Sequence, residues 1–198
     1  MISLLQSFGR KQKSKKMHKY AIFVEGQTEQ IFIKELLYQI FGYQSITIRD
    51  EKVRGRNIFV RLQDDFQNEQ HEYLFLLINV SNDERVLSAI LENASNMIGK
   101  GFEKILGLRD LYPNNREQQA AVRNAINKTL RQSPESDKLK IFLAIMETEA
   151  WFLADYELFN RMDKRLTREY IEEQLGYDLE QENPELFFEH PAKIINDI

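Results

Sequence analysis

The sequence predicts an α/β protein: a mainly parallel sheet flanked by helices, followed by an acidic, helical C-terminal segment. Three observations lead to that class. Residues 20–24 (YAIFV), 73–80 (YLFLLINV) and 139–145 (LKIFLAI) are short, continuous apolar runs, as expected of strands buried on both faces. Stretches with apolar residues at helical spacing lie between them. Strands that alternate with helices build parallel sheets.

The elements follow in order. The strand over 20–24 stops at Glu25-Gly26. Residues 28–41 read as a helix, with Ile33, Leu36, Leu37, Ile40 and Phe41 on one face and Gly42 as its stop. Thr28 suits its N-cap, and Glu29 its first turn, where negative charge is favoured. A second strand is expected over 45–48, and 57–67 reads as helical. After the strand over 73–80, Ser81-Asn82-Asp83-Glu84 matches a capping box, and Val86, Leu87, Ile90, Leu91 and Ala94 follow at helical spacing. Residues 102–108 form a strand that leads into Arg109-Asp110. A helix rich in Ala, Gln and Arg spans 114–132, and Ser133-Pro134-Glu135-Ser136-Asp137 is a loop. The strand over 139–145 enters a helix over 146–159. Past Arg161 the chain is acidic and mostly helical, broken at Pro184 and Pro191. Three regions result: a basic extension over 1–16 expected to be disordered, an α/β domain over 17–160, and an acidic helical segment over 161–198.

Composition narrows the chemistry. The 198 residues are 42% hydrophobic and 29% charged, enough apolar material for a real core. No apolar run approaches the roughly 20 residues that span a bilayer, and a cytoplasmic location is expected. The absence of cysteine excludes disulfides, thiolate zinc sites and cysteine nucleophiles. His18, His71 and His190 lie far apart, which argues against a histidine zinc site. Any metal would sit on carboxylates, which favours Mg²⁺ or Mn²⁺. The net charge of −4 does not announce a nucleic-acid binder, but its distribution is uneven. Residues 10–19 hold six Lys or Arg, Lys15 and Lys16 among them, and no acid. Such an arm suits phosphates, and equally a solvated tail.

Acids stand where the strands end. In open α/β sheets, ligands bind beyond the carboxyl ends of the strands. Glu25 follows the first strand, Asp110 the strand over 102–108, and Glu147 and Glu149 the strand over 139–145. Carboxylates brought together repel one another, and a divalent cation resolves that repulsion. For each acid alone, the alternative is a turn residue or a helix N-terminal charge. Arg54-Gly55-Arg56-Asn57 forms a loop in which two guanidinium groups suit a phosphate, with a solvated loop as the alternative. Arg109 stands ready to pair with a carboxylate or reach a phosphate.

Glu25-Gly26-Gln27-Thr28-Glu29, the Asp110-Leu111-Tyr112-Pro113 segment, and Glu147-Thr148-Glu149-Ala150-Trp151-Phe152-Leu153-Ala154-Asp155 together resemble a Toprim-related bacterial family. The pattern is similar to the RloB-like and OLD-nuclease-like Toprim proteins, over roughly residues 20–155 and weakly at His190-Pro191-Ala192-Lys193. The resemblance implies a Toprim-like, Rossmannoid sheet and a metal-dependent nuclease. It also implies a place beside an ATPase partner in anti-phage defence. Glu25 matches the Toprim glutamate, which supports acid–base chemistry or binds metal. Asp110 matches the first acid of the family's Asp-x-Asp, but Tyr112 stands where the second is expected, and a phenol is a poor Mg²⁺ ligand. Glu147 or Glu149 then completes the site, or metal binding is weak. Asp155 fits a late ligand or a surface charge. Trp151 and Leu153 read as core residues.

Two functions fit these observations. One is a Mg²⁺- or Mn²⁺-dependent nuclease. In it, Glu25, Asp110 and Glu147 or Glu149 hold the metal, with Glu25 and Asp110 catalytic. Arg54, Arg56, Arg109, Lys15 and Lys16 recruit DNA or RNA. The other is a non-catalytic Toprim-like module that docks on a partner ATPase, favoured by Tyr112 and the acidic tail. A homo-oligomer is compatible with either.

Overall fold

The computed structural model describes residues 16–54, 58–65, 71–81, 85–178 and 180–197. Six strands form one sheet: β1 (His18–Val24), β2 (Ile46–Arg54), β3 (Ile58–Asp65), β4 (Tyr73–Asn79), β5 (Lys104–Asp110) and β6 (Leu139–Ala144). Their order is β3-β2-β4-β1-β5-β6, and every pairing is parallel except β2 with β3. Helices α1 (Gln27–Phe41), α2 (Arg85–Gly99) and α3 (Gln119–Leu130) cover the sheet, so the expected α/β class is the observed one.

Alternation along the strands sorts the core into two layers. Ala21 and Phe23 of β1, Leu76 and Ile78 of β4 and Ile105 of β5 pack with Val86, Ile90 and Ala94 of α2. Ile22 and Val24, Phe75 and Leu77, and Leu108 pack on the other face with Leu37 and Tyr38 of α1. The period of two explains the unbroken apolar runs, since both faces of the central strands are buried. α1 and α2 lie on opposite faces, and in open α/β sheets that arrangement sets the ligand crevice between them, beyond the carboxyl ends of the strands, here β1 and β5.

Several local expectations are corrected. The expected helix over 57–67 is strand β3, paired antiparallel with β2. Ile58 and Leu62 fit a helical period, but Ile58, Val60 and Leu62 also alternate, and the pairing with β2 selects the second pattern. The strand expected over 45–48 runs on to Arg54, so Arg54 is the last residue of a strand and not a loop residue. Residues 55–57, including Arg56, lie outside the described residues, as do residues 1–15 of the extension expected over 1–16, with Lys15, and the capping-box residues 82–84. The helix expected over 146–159 is two short ones, α4 (Glu149–Leu153) and α5 (Tyr156–Met162), preceded by an irregular loop. In that loop Met146 takes a left-handed φ of 70°.

Beyond α5 come α6 (Arg168–Leu175), α7 (Pro184–Phe187) and α8 (Pro191–Asp197). Phe159, Ile171, Tyr177 and Phe188 gather around Leu153 of α4, so the C-terminal segment has a small core of its own that begins in the α/β domain.

Candidate carboxylate site

Three carboxylates meet where β1, β5 and β6 end. One oxygen from each of Glu29, Asp110 and Glu149 lies within 4.8 Å of the others. Each is placed by a different element. Asp110 is the last residue of β5, still paired with Ala144 of β6, and alternation turns it to the α1 face of the sheet. Glu29 lies in the first turn of α1 and curls back so that its Oε2 accepts the Gly26 N–H at 2.7 Å. A side chain at position 26 would set its Cβ 2.8 Å from that same oxygen. Gly26 therefore allows the close approach, although its backbone is extended. Glu149 opens α4, just after the left-handed turn at Met146.

Thr148 locks the loop to the strand. It is fully buried, and both its N–H and its hydroxyl donate to Asp110 Oδ1, at 3.1 and 2.8 Å. Even so, burial pushes the Asp110 carboxyl up to about 7, with the charges of Glu29 and Glu149 adding to the rise and the Thr148 bonds opposing it. Glu149 is raised too, by burial first and then by Glu29 and Glu147. The donor set is all oxygen and crowded. That chemistry fits a hard divalent ion such as Mg²⁺ or Mn²⁺.

Glu25 stands beside this trio and not within it. It is buried, its Oε1 accepts the Asp110 N–H at 3.2 Å, and the same oxygen is 3.9 Å from Arg109 Nε. Arg109 and Asp110 point to opposite faces of β5, so Glu25 and Arg109 occupy the α2 side of the crevice and the trio the α1 side. Among the described residues, the buried Arg109 Nε makes no hydrogen bond.

The other expected residues scatter. Glu147 faces away and accepts the Ala192 N–H at 3.0 Å. Asp155 is a surface charge paired with Arg161 at 3.2 Å. Lys16 precedes β1, at the opposite end of the strand from Glu25, and pairs with Glu103 at 3.1 Å. Tyr112 is partly exposed, donates its backbone N–H to Met146 O, and meets His190 edge to face. Leu153 is core as expected, and Trp151 is half-buried against the α1 layer.

Glu29 was missed by sequence reasoning. An acid in the first turn of a helix has a sufficient electrostatic explanation, and that explanation hid its second role. Thr28, expected as the N-cap, lies inside the helix. It lines a mainly apolar groove of about 460 Å³ with Ile31, Phe32, Leu36, Trp151 and Phe152. A separate cavity of about 610 Å³, lined by Arg49, Leu74, Met97 and Phe102, shares no residue with the carboxylate site.

Fold and site together define an α/β protein with a partly buried carboxylate cluster at the strand ends. The chain belongs to the family described as a domain of unknown function (DUF4276), whose model matches residues 24–193. That match takes in Glu25, Glu29, Asp110 and Glu149 and most of the C-terminal segment. No curated protein and no solved structure matches the chain.

Proposed function

We propose that this protein is a metal-dependent nuclease, a phosphodiesterase of Toprim type acting on DNA or RNA. The observation that carries the reading is the convergence of Glu29, Asp110 and Glu149 from three elements onto one point. These three would hold Mg²⁺ or Mn²⁺, which when bound supplies Lewis-acid stabilisation and lowers the pKa of coordinated water. Glu25 is the residue placed to accept or return a proton. Its carboxylate is fixed by the Asp110 N–H but lies outside the trio. Arg109, beside Glu25 at the α2 side of the crevice, would hold a phosphate. Arg54, Arg56, Lys15 and Lys16 remain the proposed contacts for the rest of the nucleic acid. The resemblance to RloB-like and OLD-type proteins adds an ATPase partner, anti-phage defence and a cytoplasmic location. Among the described residues, no helix is long and apolar enough to cross a membrane.

Tyr112 favours a second reading. It stands where the family pair has its second acid, so a site with one acid fewer suits a binding module that docks on an ATPase without cleaving.

Cleavage of labelled single- and double-stranded DNA and RNA, with Mg²⁺ or Mn²⁺, separates the two. Wild type should cleave at least one substrate, and Glu29→Gln, Asp110→Asn and Glu25→Gln should each lower the rate by at least about 10²-fold with the fold intact. Glu25→Gln cleaving like wild type would remove its proposed role. Wild type inactive on every substrate, with and without an ATPase, would favour the docking module.

A further inference from the structure

The C-terminal segment grips the site loop at several points. Glu185 of α7 turns one oxygen, Oε1, toward it, accepting the Ile145 N–H at 2.9 Å and the Trp151 indole N–H at 2.8 Å. Those two donors bracket residues 146–150, the stretch that carries Thr148 and Glu149. Within the bracket, Glu147 accepts the Ala192 N–H at the start of α8. On the far side, Arg116 donates to the backbone carbonyls of Glu185, at 2.8 Å, and of Phe188. Arg116 lies in the turn before α3, six residues beyond Asp110. The buried Pro184 and Phe188 anchor the segment on either side of these bonds. The loop needs such support, because a non-glycine residue with positive φ, here Met146, persists only where its surroundings hold it.

We propose that Glu185 is a positioning residue for the carboxylate site: it holds the loop over 145–151 so that Thr148 stays on Asp110 and Glu149 stays beside it. The consequence for metal rests on the nuclease reading, whereas the consequence for the loop does not. A carboxylate accepting two N–H bonds makes charge-assisted contacts, stronger than neutral ones. Partners that orient metal ligands from behind change affinity by about 10- to 100-fold when removed. Glu185 contributes no atom to the trio, so any effect it has on the trio's geometry must pass through the loop.

The test uses the full chain with Glu185→Ala and Glu185→Gln. It reads Mn²⁺ affinity by electron paramagnetic resonance and hydrogen exchange at the Thr148 amide by NMR. Trp151 is the chain's only tryptophan, so its indole N–H signal reports the bond to Glu185 without ambiguity. Glu185→Ala should shift that signal, quicken Thr148 exchange, and weaken Mn²⁺ binding by about tenfold or more. Glu185→Gln keeps a carbonyl acceptor and should restore most of all three. Unchanged Thr148 exchange in the alanine variant would overturn the proposal, even if Mn²⁺ bound less well, because loss of charge alone would explain that. Wild type that binds no Mn²⁺, with exchange still quickened in the variant, would remove the metal reading and leave the positioning role standing. If Glu185→Ala does not fold, Trp151→Phe decides. It removes one of the two donors and keeps an aromatic ring, and unchanged Thr148 exchange there overturns the proposal.

Discussion

Asp110 is the residue on which the site's energetics turn. Its carboxyl titrates near 7 in the folded chain, against an ordinary value of 3.8. Between those values the folded state holds a proton that the unfolded state has released, so stability falls as pH rises from about 4 to about 7 and levels off above. Asp110→Asn cannot ionise and escapes that fall. In chelator, its thermal unfolding should match wild type at about pH 4 and exceed it at about pH 8, by an amount on the order of a few kcal/mol. A wild type as stable as the variant at the higher pH would show that burial and crowding do not strain this carboxylate. Mg²⁺ or Mn²⁺ should raise the wild-type midpoint at about pH 8 by mass action and leave the variant unmoved.

At the scale of elements, β5 is packed closely against α2 and β6 at Gly107. A Cβ at Gly107 would come within 2.8 Å of both Val86 and Ile90 on α2 and within 3.0 Å of Ile141 on β6. Gly107→Ala should therefore destabilise the protein by about 1–3 kcal/mol, read as a lower urea midpoint with an unchanged slope. A neutral result would mean that α2 can shift to make room. How far elements can be read from sequence also differs by element. Central strands β1 and β4 were legible because both faces demand apolar residues, whereas β6, expected to be buried on both faces, is an edge strand that leaves Lys140 and Phe142 exposed and was legible only through its apolar run. Edge strand β3 was not, since a run such as IFVRLQDD satisfies two periods at once. The site was legible in part for a similar reason. Asp110 and Glu149 follow apolar runs, but choosing Glu149 over Glu147 depends on the turn at Met146, which no glycine signals. Glu29 turns inward because Gly26 leaves space for it, a contact between neighbours that spacing alone does not reveal.

Across the whole molecule, Lys16 and the carboxylate trio lie at opposite ends of β1. Lys16 pairs with Glu103 where β1 begins, and the carboxylates gather where β1 ends. If the basic arm draws nucleic acid toward the protein, affinity should fall steeply with salt, and deleting residues 1–16 should flatten that dependence. Filter binding across a salt series reads both slopes, and equal slopes would leave the arm without a part in recruitment. The C-terminal segment completes the molecule in another sense. The core around Leu153 and the bonds from Glu185 join it to the loop that bears Glu149, so the boundary expected at residue 160 does not separate it from the site.

The ladder on both sides of β5 sets a rule for how this chain can change over time. Asp110 and Arg109 are adjacent, point to opposite faces, and are held in register by β6, with β1 on the other flank. A single inserted or deleted residue within β5 would exchange their faces, presenting a guanidinium to Glu29 and Glu149 and a carboxylate to Glu25. The pocket of negative charge would become an ion-paired knot with no use for a cation. Side chains along this strand are free to drift, but its length is not.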